Sequence, residues 1–166
     1  MIGPKRGMTT RDLFSQTWNT NVTGTHILTT TFVPLLLKST SPRLLFLTSG
    51  TASFKLTLDP DFILNKAPPA GWPKPVQREL PAYKASKVGV NMLMRDWERV
   101  LRKDGVKVWT VNPGFLVTGL GGDPSVTKKM GAGDARLGGE IVRDVVEGKR
   151  DEDVGKTVQA NGILAW

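Results

Sequence analysis

A chain of 166 residues is long enough to bury a core of its own and short enough to form a single domain over residues 1–166. With no cysteine and one histidine, His26, it excludes a disulfide scaffold, a thiol nucleophile and the usual His/Cys metal centres, so no metal is expected. The net charge of +8 is scattered over small groups such as Lys5-Arg6, Arg102-Lys103 and Lys149-Arg150, without interleaved aromatics, which points to a solvated surface rather than a nucleic-acid-binding face.

In chain order, Thr9-x-x-Asp12 is a helix-start pattern, and Leu13, Phe14, Trp18 and Val22 recur at helical spacing, predicting a helix over about 10–38. Asn21 falls inside it, and His26 on the same helix reads as a packing residue. The run Leu35-Leu36-Leu37 behind Pro34 is too short to span a bilayer, and no signal-peptide core opens the chain, so a cytoplasmic protein without a membrane partner is expected. Arg43-Leu44-Leu45-Phe46-Leu47 then reads as a buried parallel strand whose far end delivers Ser49. Residues 51–81 hold Pro60, Pro68, Pro69, Gly71, Pro73 and Pro75, which predicts a long loop with little regular structure. Because it joins Ser49 to Tyr83, it is expected to pass over the site, with Trp72, Phe54 and Phe62 as wall residues; the alternative is a surface insert with no such duty.

A helix follows over about 82–103, stopped at Asp104-Gly105, and Val106 to Val111 form a second strand that breaks at Asn112-Pro113-Gly114. Residues 119–133 read as a second loop. Asp134 then caps a short helix with Leu137, Ile141 and Val145 on one stripe, and a last strand is expected near 156–160. A strand–helix–strand unit demands a parallel sheet, so the fold class is α/β, with ligands bound where the strands end.

Tyr83, the sole tyrosine, and Lys87 lie one helical turn apart and therefore on one face. A free tyrosine titrates near ~10, too high for a base at neutral pH, and a nearby ammonium favours the phenolate. Taken alone, such a pair is also what any solvated helix carries. Ser49 could be an ordinary strand-end hydroxyl, Asn21 could kink a helix with no chemical duty, and Pro113-Gly114 could be a plain turn.

Ser49, Tyr83 and Lys87 in that order, with Asn21 ahead and Pro113-Gly114-x-x-x-Thr118 behind, resemble the short-chain dehydrogenase/reductase family from about residue 10 onward. The resemblance implies a partial Rossmann-like, doubly wound parallel sheet. It also implies NAD- or NADP-dependent interconversion of a small alcohol and a ketone or aldehyde. Tyr83 would be the acid/base, Lys87 its activator and a holder of the cofactor ribose, Ser49 the substrate anchor, and Asn21 the support of a proton relay. Pro113, Gly114, Val117 and Thr118 would meet the nicotinamide, Phe115 and Trp72 the substrate, and residues 119–133 would form a substrate lid. A homo-oligomer through the 10–38 and 82–103 helices is expected by the same resemblance.

The family's glycine-rich pyrophosphate turn does not occur in the sequence. The glycines near 119–121 and 131–138 have other spacings, read as loop glycines, and no strand precedes the second group. The expectation is therefore the C-terminal, catalytic part of such an enzyme, with a bare edge on the Ser49 strand. The alternative is a catalytically inactive remnant acting as a protein-interaction or dimerisation module.

Overall fold

The computed structural model describes residues 7–74, 80–121 and 123–166. Helix α1 (Thr10–Trp18) starts as its sequence requires: the Thr9 hydroxyl accepts the Asp12 amide at 3.2 Å, and the Asp12 carboxylate accepts the Thr9 amide at 3.0 Å. Helical backbone continues as far as Leu36, but not as one α-helix. Between Asn19 and Gly24 it widens into a π-helical stretch, after which α2 (Thr25–Leu36) resumes. The apolar spacing is nearly the same through both forms, so the sequence pattern does not reveal the change. The His26 ring packs against Trp97 with centroids 5.5 Å apart.

Strand β1 (Arg43–Leu47), helix α4 (Pro81–Leu101) and strand β2 (Lys107–Val111) form the expected crossover unit. The strands pair in parallel, Arg43 opposite Lys107 through Leu47 opposite Val111. Strand β3 (Thr157–Gln159) continues the sheet in parallel beside β2. Beyond it, β4 (Gly162–Leu164) turns back antiparallel, which the reading of a single last strand near 156–160 does not include. Three-residue strands are too short to carry an alternation signal, and the two-residue link Ala160-Asn161 alone makes the hairpin. The sheet order is β1-β2-β3-β4, leaving β1 at an edge among the described residues.

The sheet is covered on both faces because its strands are apolar on both. One face packs Phe46 and Val108 with Val22, Val90, Met94 and Leu101 from the helices before and after β1. The other packs Trp109, Val111 and Val158 against Ile141 and Val145 of helix α6 (Arg136–Val146). Each fully buried aliphatic side chain here stabilises the fold by roughly 1.5–3 kcal/mol relative to exposure.

The segment between β1 and α4 is more ordered than its prolines suggest. It holds single 3-10 turns at Gly50–Ala52 and Ile63–Asn65 and the short helix α3 (Phe54–Thr57), while 75–79 of this stretch lie outside the described residues. Local side chains stabilise these turns: Ser53 Oγ accepts the Leu56 amide at 3.2 Å and donates to the Ala165 carbonyl at 2.6 Å. Asn65 Nδ2 donates to the carbonyls of Leu56 and Asp59, both at 2.7 Å. Helix α5 (Pro124–Lys129) similarly occupies part of the second loop, with Asp123 Oδ1 accepting from the Ser125 amide at 2.8 Å.

At the end of the sheet where β1 and β2 begin, Asp151 joins both strands, accepting from Arg43 and from Lys107, while Arg43 also donates to the Val145 carbonyl at 3.0 Å. These hydrogen bonds hold the Asp151 carboxyl well below the usual carboxylate range. A carboxylate depressed in the folded state stabilises above the unfolded-state pKa of about 4 and loses that contribution as pH falls below it. Thermal melts from pH 7 to pH 3 should show a loss of stability at the acid end, with a shallower slope in Asp151→Asn; equal slopes would remove Asp151 from the account.

Candidate functional site

Helix α4 begins at Pro81, whose missing N–H costs nothing at a helix start, and this sets Tyr83 in the first turn beside the end of β1. The Ser49 hydroxyl lies near enough to the Tyr83 phenol to favour its ionised form, so strand end and helix start come together at the side chains the sequence singles out. Ser49 is itself held: its oxygen lies 3.0 Å from Thr51 Oγ1 and accepts the Thr51 amide at 3.2 Å. One turn along α4, Lys87 Nζ donates to the Leu47 carbonyl at 2.9 Å and lies 5.8 Å from the centre of the Tyr83 ring.

The electrostatics differ from what spacing alone suggests. Burial is the main influence on both groups, pushing the Tyr83 phenol up and the Lys87 ammonium down, with the Ser49 hydroxyl only partly offsetting the rise at Tyr83. The expected lowering of the phenol pKa by Lys87 is therefore not what this arrangement produces. The ammonium faces the ring and bonds a β1 carbonyl.

Asn21 reaches the same helix from the other side. It sits in the π-helical stretch, and its Nδ2 donates to Ser86 Oγ at 2.9 Å, while Ser86 donates to the Tyr83 carbonyl at 2.8 Å. The approach depends on Gly89, a residue the sequence reading passes over. A Cβ there would lie 2.9 Å from Val22 Cγ2 and 3.1 Å from the Trp18 ring, inside normal contact distance. Its only sequence signal is a glycine in the middle of a strong helical pattern, where it costs helix propensity without a local reason.

The segment after β2 lies beside Ser49 because β1 and β2 are parallel neighbours in register. Pro113 and Gly114 turn the chain. The Val117 amide donates to the Gly133 carbonyl at 2.8 Å and the Gly133 amide to the Phe115 carbonyl at 2.9 Å, closing the base of the 119–133 loop. Gly122 of that loop lies outside the described residues. Thr118 Oγ1 accepts the Leu120 amide at 3.3 Å. Gly138, within the helix expected after Asp134, is buried inside α6, where a Cβ would lie 3.1 Å from Pro113 Cβ. Phe115 is half exposed beside this segment, whereas Trp72 is 87% exposed and stands out in solvent, away from the packed residues. Phe54 lines a separate apolar groove of about 240 Å³ with Val88, Met92 and Trp166, on a different face of α4 from Tyr83 and Lys87.

The sequence profile described as short chain dehydrogenase matches residues 73–128. The chain is 46% identical to the short-chain dehydrogenase/reductase eupG of a Phoma species, over 96% of this chain and 60% of that protein. It is 45% identical to the short-chain dehydrogenase/reductase tropE of Talaromyces stipitatus, over 92% of this chain and 58% of that one. It thus spans about three-fifths of the length of these curated relatives. Among solved structures, the NADPH-bound carbonyl reductase from chicken fatty liver superposes with a TM-score of 0.71 at 21% identity, covering 100% of this chain and 62% of that one. At that identity the likeness concerns the fold.

Gly89→Leu should test the packing that brings Asn21 to α4. Leucine gains roughly 0.8 kcal/mol over glycine in helix propensity, while overpacking against Val22 and Trp18 costs about 1–3 kcal/mol, so steric cost wins. Urea titration should show net destabilisation; a variant as stable as the parent would show that the contact yields freely.

Proposed function

The chain belongs to the short-chain dehydrogenase/reductase family, and on that premise we propose that its Tyr83–Ser49–Lys87 cluster transfers a proton to or from a carbonyl or alcohol oxygen during NAD(P)(H)-dependent redox chemistry. The observation that carries this reading is that Lys87, 5.8 Å from the Tyr83 ring, donates to the Leu47 carbonyl at 2.9 Å at the same C-terminal end of β1 that carries Ser49. The Ser49 and Tyr83 hydroxyls can hold one substrate oxygen between them. Ser49 orients it, and Tyr83 gives or takes the proton. A phenol is protonated at neutral pH and burial moves Tyr83 further that way, so the folded site presents a proton donor to a bound oxygen.

The residues present fit the nicotinamide half of such a cofactor. Lys87 and Tyr83 supply polar groups at the end of β1, and residues 113–118 follow the end of the neighbouring strand β2, tied to the segment after Ser49 through Asn112. The Lys87–Leu47 bond shows a donor already placed at that end of the sheet and exchangeable for a ribose hydroxyl. When bound, a reduced nicotinamide would supply the hydride. The sequence carries no glycine-rich pyrophosphate turn, so these residues account for one half of a dinucleotide site. Under this reading, Asn21 fixes the start of α4 through Ser86, and the described parts of the 51–81 and 119–133 loops that lie nearest Ser49 and Pro113-Gly114 border the substrate.

Fluorescence titration with NADH and NADPH tests the reading, with Lys87→Ala as control: binding that the substitution abolishes is the expected result. In any preparation with turnover, Tyr83→Phe should lower the rate about 10²–10⁴-fold while leaving the fold intact. Full turnover by that variant would remove Tyr83 from the acid/base role.

A second reading, an association module, is favoured by one observation. Ile27, Leu28, Phe32 and Leu35 of α2 are all more than half exposed, and among the described residues β1 has an open edge beside Leu47, also exposed. A homo-oligomer through α1, α2 and α4 would cover part of this surface. Sedimentation of the purified chain should show a species larger than 18.1 kDa that Phe32→Glu reduces towards the monomer; a monomeric parent chain would dispose of this second reading.

A further inference from the structure

Three segments have to hold still relative to one another for the proposed chemistry: the end of β1 carrying Ser49, the turn after β2 carrying Pro113-Gly114, and the sheet beneath them. One side chain touches all three. Asn112 directly follows β2 and is 7% exposed. Its Oδ1 accepts the Gly50 amide at 3.1 Å and the Gly114 amide at 3.2 Å. Its Nδ2 donates to Gln159 Oε1 at 3.1 Å, and its own backbone amide donates to the Val158 carbonyl at 2.9 Å. Gly50 is the residue after Ser49, and Gly114 is the glycine of the expected nicotinamide segment.

We propose that Asn112 is a positioning residue that locks Ser49 and the Pro113-Gly114 turn into one rigid unit at the C-terminal ends of β1, β2 and β3. The chemistry of the side chain suits the task. A carboxamide oxygen has two lone pairs and can take both glycine amides, while its NH₂ is left to anchor on Gln159. The two amide donors also settle which end is oxygen, since an NH₂ turned towards them would have nothing to accept with. An apolar residue of the same size would leave both glycine amides short of an acceptor in a region with little water. Ser49 is thereby held not only by Thr51 on its own turn but by a contact from the neighbouring strand.

This inference rests on the proposed redox reading for its functional meaning, but its structural content is testable without turnover. Hydrogen exchange at single amides is followed by NMR in the parent chain, Asn112→Ala, Asn112→Asp and Gln159→Ala, with Val158→Ala as a control that destabilises the core without touching these bonds. In Asn112→Ala the Gly50 and Gly114 amides should exchange about tenfold faster while β2 and α4 keep their protection, the order expected for losing one buried hydrogen bond. Asn112→Asp keeps an acceptor oxygen, and Gln159 can turn its own NH₂ towards the carboxylate, so protection of both glycines should return. Gln159→Ala frees the side chain to rotate and should speed both amides together. Val158→Ala should lower the melting temperature and leave the two glycines in step with the rest of the sheet.

Unchanged exchange at Gly50 and Gly114 in Asn112→Ala and Gln159→Ala would overturn the proposal. So would an Asn112→Asp chain indistinguishable from Asn112→Ala. Should Asn112→Ala fail to fold, the Gln159→Ala comparison decides alone. NADPH titration of the same set separates the two layers. Where the parent binds, Asn112→Ala should weaken binding about tenfold and Asn112→Asp should recover it, as one buried hydrogen bond would dictate. A parent chain that does not bind NADPH counts against the redox reading, and the exchange data still decide for or against the lock.

Discussion

Parallel pairing of β1 with β2 is the constraint on which the rest of this molecule depends. Two parallel strands cannot be joined by a tight turn, so the chain must cross over the sheet, and α4 is that crossover. The geometry then leaves no choice about the site. Both strands end at the same side, and α4 starts there. Ser49, Tyr83 and the Pro113-Gly114 turn, far apart in sequence, become neighbours because the strands run together in register. Met94, Val90 and Val108 keep the crossover pressed on the sheet, so the distance between helix start and strand end is set by core packing.

The opposite ends of the sheet are handled differently. Where β1 and β2 begin, a carboxylate satisfies two cations, and charge pairing joins the strands. Where they end, neutral hydrogen bonds do the joining: Asn112 links the segment after β1 to β3, and Asn21 links the π-helical stretch to α4 through Ser86. A half-buried phenol and ammonium sit among them, each shifted towards its uncharged form by desolvation. A fixed carboxylate at that end would favour the ammonium and oppose the phenolate. Neutral partners leave both groups free to respond to whatever else enters.

Two glycines set the closeness of the layers. Gly89 lets the π-helical stretch lie against α4, and Gly138 lets α6 lie against Pro113. Each gives up helix stability for contact, and each serves a segment that holds a site residue. On the outer side, the apolar residues of α2 and the free edge of β1 have no cover within the described chain, which is the surface any association would use first.

Asn21, Ser49, Tyr83, Lys87 and Pro113-Gly114 stood out in the sequence by the order they share with the family, while helix spacing, a strand end and a turn told only which element each stands on. The crossover unit and its parallel sheet followed from the same periodicities, as did the capping box at Thr9. The π-helical stretch, β4 and the short turns within residues 50–65 were not legible, since they are shorter than the window in which periodicity shows. Nor was the direction of the Tyr83 and Lys87 shifts. Spacing places the two side chains on one face, but burial depends on what packs over that face. The sequence by itself determined which residues stand at the ends of elements, because helix and strand periods are local properties. Tertiary structure alone decided that Gly89 would be a contact point, that Trp72 would lie in solvent and that Asn112 would bond to three segments, because each depends on residues brought together only when the sheet closes.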